Sequence, residues 1–314
     1  MPALVDPAHK GGVDLHLHTT FADGTERPER VVELAKQAGL AAIAITDHDN
    51  IEAMPIAAPL ASREGIELIP GIEMSASAGD LHVHLLGFYF DSTHPGLLGH
   101  LQTQQARRVE RVHEMVERLK RIGLAITAEE VLQVAGEGTV GRPHVARVLL
   151  AHGYVSSLRE AFDRYIGDKK PGFIPGSATP PAAIIRLLRD AGGIPVLAHP
   201  KYLKRDAFIE ELAKDGLLGV EVYHADHTPD LIRHFGAIAD RLGLLKTGGS
   251  DFHGNAKEGV AVGAIPVPYS LVEALKQWKA THSSPVLSWR RPFQKISRTG
   301  VPPLFLRCDD LPNR

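Results

Sequence analysis

Short apolar runs closed by polar clusters alternate along the chain with stretches in which apolar positions recur every three or four residues. The runs predict strands over 13–18, 41–46, 67–74, 81–88, 194–199, 218–223 and 244–247, with helices in most of the gaps. That alternation is the pattern of β/α units around a parallel sheet or barrel. The first helix is expected to begin near Pro28, whose fixed φ suits a first turn. It should stop at Gly39, which accepts the left-handed conformation past a last turn.

From about His94 to Ala191 the strand pattern vanishes and four or five helices replace it. A long amphipathic helix is expected over 97–122, a capping box at Thr127 and Glu130, and further helices over 145–152 and 158–166. Pro171, Pro175, Pro180 and Pro181, with Gly172 and Gly176, mark the return before the β/α pattern resumes at Ile194. The expected architecture is therefore a distorted seven-stranded β/α barrel, discontinuous over 1–93 and 192–283, with an inserted helical cap over 94–191. The stretch 284–314 carries Arg290, Arg291 and several prolines without periodicity, and is expected to be a loosely ordered tail.

The 314 residues are 44% hydrophobic and 23% charged, which excludes whole-chain disorder and fibrous repeats. A net charge of −2 supplies no global field for nonspecific attraction to a nucleic-acid backbone. The lone Cys308 permits neither an internal disulfide nor a thiolate zinc site, which fits a reducing compartment and makes cytoplasm the expected location. No apolar run has the length of a membrane helix, and MPALVDPAHKGG lacks the apolar core of a signal peptide, so no membrane partner is expected. The unusual count is histidine, 17 in all.

Those histidines are not scattered. His16 and His18 lie two apart on a predicted strand, so both rings project from one face, and Asp23 follows just past the strand end. Any one strand histidine is most simply a buried core residue with a satisfied hydrogen bond. The same edge of other strands, however, carries Thr46, Asp47, His48 and Asp49; Glu73; His82 and His84; His199; and Ser250, Asp251 and His253. In β/α barrels the C-terminal edge is where loops from several strands build a site. Independent core histidines have no reason to collect there, so the set reads as a site for several metal ions. Imidazole and carboxylate without thiolate suit Mn²⁺, Fe²⁺ or Zn²⁺. Asp47, Asp49 and His82 alternate with these positions and read as orienting or solvent-facing residues.

The motifs D-L-H-L-H with Asp23, T-D-H-D, G-I-E, the second His of H-V-H, A-H-P and S-D-F-H resemble those of the PHP family, the polymerase and histidinol phosphatase superfamily of metal-dependent phosphoesterases. The resemblance covers the barrel part of the chain. It implies that His16, His18, Glu73 and Asp251 hold one ion, Glu73, His84 and His199 a second, and Asp23, His48 and His253 a third. Two or three divalent ions are thus expected, Mn²⁺ first, with Zn²⁺ and Fe²⁺ as alternatives. Six neutral imidazoles and three carboxylates leave such a centre positively charged, so a phosphate is attracted locally although the whole chain is slightly acidic.

Arg142 and His144 in G-R-P-H-V-A fall in a segment that similar family members place over the metal site. Arg142 suits bidentate phosphate binding and His144 a second phosphate contact. Tyr223, His224 and His227 stand at another strand end, and His224 is the candidate proton donor to a leaving group. Lys169 and Lys170 read as a solvated loop. His9, His94, His100, His113, His152, His234 and His282 fit no cluster.

The cap and the G-G-S-D-F-H ending look most like the branch that removes the 3′-phosphate of nucleoside 3′,5′-bisphosphates and trims short 5′-phosphorylated RNA. The expected activity is phosphoester hydrolysis by metal-bound hydroxide, with a small phosphorylated nucleotide as partner. The stretch Y-H-A-D-H-T departs from that branch, which puts the substrate in question. Three alternatives remain: a phosphatase for another metabolite such as histidinol phosphate, a non-catalytic module of the same fold, and a hydrolase of C–N bonds. Degenerate ligands would mark the second, and none is missing; a bridging Lys at a strand end would mark the third, and none is suitably placed.

Overall fold

Seven strands follow one another around one sheet in chain order: β1 (Val13–Leu17), β2 (Ala42–Ile45), β3 (Glu67–Ala78), β4 (Leu81–Phe88), β5 (Ile194–Leu197), β6 (Gly219–His224) and β7 (Leu245–Gly249). The computed structural model describes residues 11–176, 178–257 and 259–282. The expected tail over 284–314, with Cys308, lies outside the described residues, as does His9. The two sheet edges meet just past β7, where His18 N donates to Phe252 O and Asp251 N donates to His16 O, both at 2.9 Å. The sheet is therefore nearly closed into a barrel. Gly249 permits this seam, because a Cβ there would collide with the backbone nitrogen and Cβ of His16.

The expected parallel order fails at one place. β4 runs antiparallel to both β3 and β5. Ala78 pairs with Leu81 across a two-residue turn in which Gly79 takes φ +60°. A turn that short can only reverse the chain, since a parallel return needs a crossover of a dozen residues or more. The reversal matters to the site. His82 and His84 lie in the first half of β4, yet that half reaches the same rim as the last residues of β2.

The helices are α1 (Pro28–Gln37), α2 (Met54–Glu64), α3 (Pro95–Arg121), α4 (Ala128–Ala135), α5 (Arg142–Ala151), α6 (Leu158–Ala161), α7 (Pro181–Asp190), α8 (Ala207–Lys214), α9 (Pro229–Leu242) and α10 (Ser270–His282). α1 starts at Pro28 and is followed by Gly39 at φ +69°. The capping box of α4 is formed in both directions, Glu130 N donating to Thr127 Oγ1 at 3.2 Å and Thr127 N to Glu130 Oε2 at 2.7 Å. α5 begins at Arg142, three residues earlier than the apolar periodicity suggests, because Pro143 suits its first turn. The helix expected over 158–166 is α6 continued by a π-helical turn over Phe162–Ile166.

α3 joins two apolar clusters. Its Leu97 and Leu101 pack with Ile72, Leu85 and α7's Ile184 and Leu188 on the barrel. Its Val112, Met115 and Leu119 pack instead with Val131, Val145, Leu149 and Ile166 of the helical segment. One continuous helix thereby fixes that segment over the strand rim. Among the described residues no helix is long and apolar enough to cross a membrane.

Candidate metal centre

Glu73, in the middle of β3 and 1% exposed, is the hub of the rim. Its Oε2 lies 3.2 Å from His16 Nε2, 3.1 Å from His18 Nε2 and 3.2 Å from His48 Nδ1. Its Oε1 lies 2.9 Å from His84 Nδ1 and 3.0 Å from His199 Nε2. Five imidazoles from β1, β4 and the loops after β2 and β5 thus face one carboxylate. Strand geometry explains the convergence: His16 on β1 and Glu73 on β3 are inward residues of staves on either side of β2, and His48 pairs directly with Glu73 past the end of β2.

Two more carboxylates complete the ring. Asp251 Oδ1 lies 3.4 Å from His16 Nε2 and 3.3 Å from His18 Nε2. Asp23 Oδ1 lies 3.2 Å from His253 Nε2, and Asp23 Oδ2 lies 3.8 Å from His48 Nε2. Ligand-type atoms of His16, His18, Glu73 and Asp251 all fall within 4.8 Å of one another, as do those of His18, Asp23, His48 and His253, and those of His48, Glu73 and His84. The first group is the set expected for one ion. The second is the expected third set with His18 added. The expected second set differs, for Glu73 and His84 gather with His48 in that radius, while His199 approaches Glu73 alone. A further group, His16, Glu221 and His224, was not anticipated.

Glu221 is fully buried on β6. A carboxylate only accepts, so its Oε1, 2.9 Å from His16 Nδ1, holds a proton of His16 on that nitrogen and makes Nε2 the nitrogen presented to the centre. Its Oε2 accepts from the backbone N–H of His199 at 2.7 Å. His253 is oriented likewise, Nδ1 donating to Asp251 O at 2.9 Å. Asp47 accepts from Thr19 N and Thr19 Oγ1, both at 2.6 Å, and so secures the loop that carries Asp23. Asp49 accepts from Arg108 of α3 through Nη2 at 2.7 Å and Nε at 3.0 Å, and from Ser75 N at 3.0 Å. Asp251 at φ +55°, His199 at φ +28° and Asp49 at φ +48° all occupy the strained left-handed region around this one site.

The electrostatics follow from burial and crowding. Burial opposes the charged forms of Glu73, Asp23 and Asp251, yet the surrounding histidines hold all three well below the usual carboxylate range. Burial would lower His18, but the carboxylates of Asp251 and Glu73 beside its ring raise it to about 10; His16 is raised by Glu221, Glu73 and Asp251 against the same penalty. His48 is instead pushed down to about 3 by burial. Burial raises Asp47 to about 6.

Several of these atoms are stranded. Among the described residues, His18 Nδ1 and Nε2, Asp23 Oδ1, His48 Nδ1 and His84 Nδ1 are buried without a hydrogen-bond partner. Such groups are costly unless something satisfies them, and imidazole with carboxylate is a donor set for a divalent ion. The residues present therefore fit the ions that the sequence implies.

Above the rim a cleft of about 360 Å³ is lined by Asp23, His48, His84 and His199 below and by residues of α3 and α5 above. Arg142 reaches it, with its guanidinium 5.6 Å from the Phe162 ring centre and 5.7 Å from that of Phe173, and Nη1 donates to Asp168 at 2.8 Å. His144 does not reach it. It is 1% exposed and its Nδ1 accepts from Gly141 N at 3.0 Å, so it fastens the start of α5 rather than meeting a phosphate. His224 is also fully buried. Its Nδ1 accepts from Asp226 N at 3.0 Å, which leaves the proton on Nε2, 3.4 Å from Asp251 Oδ2. A group sealed behind Asp251 cannot protonate a leaving group in the cleft, so the role expected of His224 is corrected. His227 turns away to donate to Val222 O at 2.8 Å, Tyr223 packs among apolar side chains, and Lys169 and Lys170 are exposed. The sequence reading missed Glu221, Arg108, Arg111 and Lys257, whose Nζ lies 2.8 Å from Asp251 Oδ2.

Fold and rim together define a histidine- and carboxylate-rich centre at one end of a β/α barrel. The family model of the PHP domain matches residues 14–166. A 5′-3′ exoribonuclease of Haemophilus influenzae is 34% identical over 245 residues, covering 76% of this chain and 89% of the relative. A 3′,5′-nucleoside bisphosphate phosphatase of Chromobacterium violaceum is 33% identical over 257 residues, covering 80% and 90%. The crystal structure of a metal-dependent phosphoesterase from Bifidobacterium adolescentis superposes with a TM-score of 0.79 at 33% identity, covering 87% of this chain and 96% of that one. The chain belongs to the PHP family.

Proposed function

We propose that the protein is a divalent-metal-dependent phosphoesterase that removes the 3′-phosphate of nucleoside 3′,5′-bisphosphates, with short 5′-phosphorylated RNA as a second substrate. The observation that carries this reading is the approach of five imidazoles and two further carboxylates around Glu73. In this reading His16, His18, Glu73 and Asp251 hold one ion, Glu73, His84 and His199 a second, and Asp23, His48 and His253 a third, with Mn²⁺ the first metal to test. Bound there, divalent ions activate water for attack on phosphorus and offset the charge of the phosphoryl oxygens.

The chain's own groups do the rest. Glu221 keeps the proton of His16 on Nδ1, so Nε2 is available without a tautomer change. Asp47 holds the loop that bears Asp23. Arg142, set between two phenyl rings, presents its fork to a phosphate oxygen. The helical segment over 94–191 acts as a cap that narrows the cleft and limits water around the reacting phosphate.

The test is phosphate release by the purified protein with Mn²⁺, using adenosine 3′,5′-bisphosphate, histidinol phosphate and AMP at equal concentration. A hundredfold preference for the bisphosphate, about 2.7 kcal/mol of transition-state discrimination, is the expected result. Equal rates on all three would remove the bisphosphate as substrate, and a preference for histidinol phosphate would replace it.

A further inference from the structure

The candidate ligands are not equally anchored. Glu73 and His84 sit in the sheet ladder, His48 bridges to Glu73, and Asp251 N donates to His16 O. Asp23 stands instead on the loop 18–27 between β1 and α1, outside the ladder. Within that loop Ala22 N and Gly24 N both donate to Thr19 O, at 3.0 and 3.1 Å. Such a turn fixes its own shape but not its place against the rim. Asp47 secures the Thr19 end. What secures the Asp23 end comes from the helical segment.

α5 meets the main chain of this loop. Arg147 Nη2 donates to Asp23 O and, at 3.5 Å, to Gly24 O. His144, three residues earlier and so on the same face of the helix, is buried with the Ala22 backbone as a hydrogen-bond partner of its ring. Just before α5, Thr139 N donates to Phe21 O at 2.8 Å. Gly138 permits that approach, because a Cβ there would collide with Thr20 O and the Phe21 backbone. Each residue from Phe21 to Gly24 is thus held from the helical segment. Arg147 forms no ion pair among the described residues, so its donors serve carbonyl oxygens of the loop and not a carboxylate. Its side chain also borders an outer cleft of about 520 Å³, lined further by Phe21, Arg27, Ile56 and Val134. Shortening it therefore widens an existing cleft and leaves the two apolar clusters filled.

We propose that Arg147 is a positioning residue for Asp23, so that the helical segment, besides roofing the cleft, completes the group of His18, Asp23, His48 and His253, and one ion depends on Arg147 while those held around Glu73 do not. This rests on the divalent-metal reading of the centre. Carboxylate oxygens bind such ions at about 2.0–2.2 Å with little tolerance, so a loop free to shift by about 1 Å gives up the ion it helps to hold. The Asp23 carboxylate has no other means of staying 3.2 Å from His253 and 3.8 Å from His48 than the hold on its own main chain.

Equilibrium dialysis of the full-length chain against Mn²⁺ tests it by counting bound ions and their affinities in the natural protein, Asp23→Asn, Arg147→Ala, Arg147→Lys and Thr127→Ala. Asp23→Asn identifies the ion in question by weakening it alone. Arg147→Ala should weaken that same ion by about 10- to 100-fold, as loss of a group that orients a ligand does, and leave the others at their natural affinity. Arg147→Lys, one ammonium in place of the fork, should fall between the two, and carries the test by itself if Arg147→Ala does not fold. Thr127→Ala removes the cap of α4 and loosens the segment without touching the loop. It should lower the denaturation midpoint and leave every ion in place. Natural affinity at all sites in the Arg147 variants overturns the proposal. So does an equal weakening of every ion, or the same loss in Thr127→Ala, since the effect is then one of general stability. A count unchanged by Asp23→Asn overturns it too, because no ion then depends on that loop. Binding is measured without substrate, so a protein that takes up its ions but releases phosphate from no ester would sink the functional reading and leave this one standing.

Discussion

Glu221 Oε1 lies 2.9 Å from Nδ1 of His16, and Glu221 Oε2 accepts the backbone N–H of His199 at 2.7 Å, so one buried carboxylate orients two residues of the rim. Glu221→Gln turns one end of that acceptor into a donor that must face either a ring N–H or a backbone N–H. The expected consequence is a loss of metal affinity of about 10- to 100-fold, with little change in fold. Calorimetric titration with Mn²⁺ measures it directly; native affinity in the variant would reduce Glu221 to a packing residue.

Asp251 and His16 stand in the group proposed for one ion. Asp251→Asn and His16→Ala should each lower kcat/KM by on the order of 10³-fold or more, several kcal/mol of transition-state stabilisation. Steady-state phosphate release with excess metal is the measurement. Retained turnover in either purified variant would contradict the assignment.

Protons and metal compete for the same lone pairs. In the metal-free protein His18 titrates at about 10 and His16 is also raised, against the opposing effect of burial, because carboxylates surround both. At pH 8 the His18 ring therefore carries a proton that an ion must displace, the upward shift of His16 acts in the same direction, and apparent metal affinity should rise with pH toward 10. His48, pushed to about 3 by burial, releases none. The same raised values mean that the ion pairs stabilise the metal-free fold fully below the ordinary histidine range, and that this contribution fades as pH climbs through about 10. Calorimetry at pH 8 in two buffers of different ionisation enthalpy should report net proton release on metal binding. Zero release is the contrary outcome.

Much of this centre was legible because each ligand candidate lies in a short motif at the end of an apolar run, where a barrel gathers side chains. His16 and His18, Asp251 and His253 could be read that way. Glu221 could not, since in G-V-E-V-Y it looks like any polar residue of an alternating strand, and its inward direction depends on the register of β6 against β7. Arg108 and Arg111 lie on the polar side of the long amphipathic helix, where nothing in the sequence sets them apart; the packing of α3 across two clusters turns that face toward the rim. The reversal of β4 was written in the turn at Gly79 and Asp80, but the apolar run alone carries no direction. His144 was misjudged because the segment places Arg142 in the cleft, and two residues later, about 200° around the helix, the side chain points inward.

Arg108 ties the helical segment to the barrel through Asp49, which is fully buried. Arg108→Ala strands that charge and should cost about 3–5 kcal/mol of stability. Adding Asp49→Asn to Arg108→Ala should recover part of the loss. Chemical denaturation of the single and double variants decides it, and additive losses would show that the two side chains do not act as a pair.

The central claim is that the ring around Glu73 works through divalent ions on a phosphate ester. Its most direct measurement is phosphate release from adenosine 3′,5′-bisphosphate by protein stripped with a chelator and then titrated with Mn²⁺, with bound metal counted at each point. The account predicts no release from stripped protein, and activity that rises with occupancy to two or three ions per chain. Full activity without metal, or saturation with metal and no release from any phosphate ester tested, would contradict it.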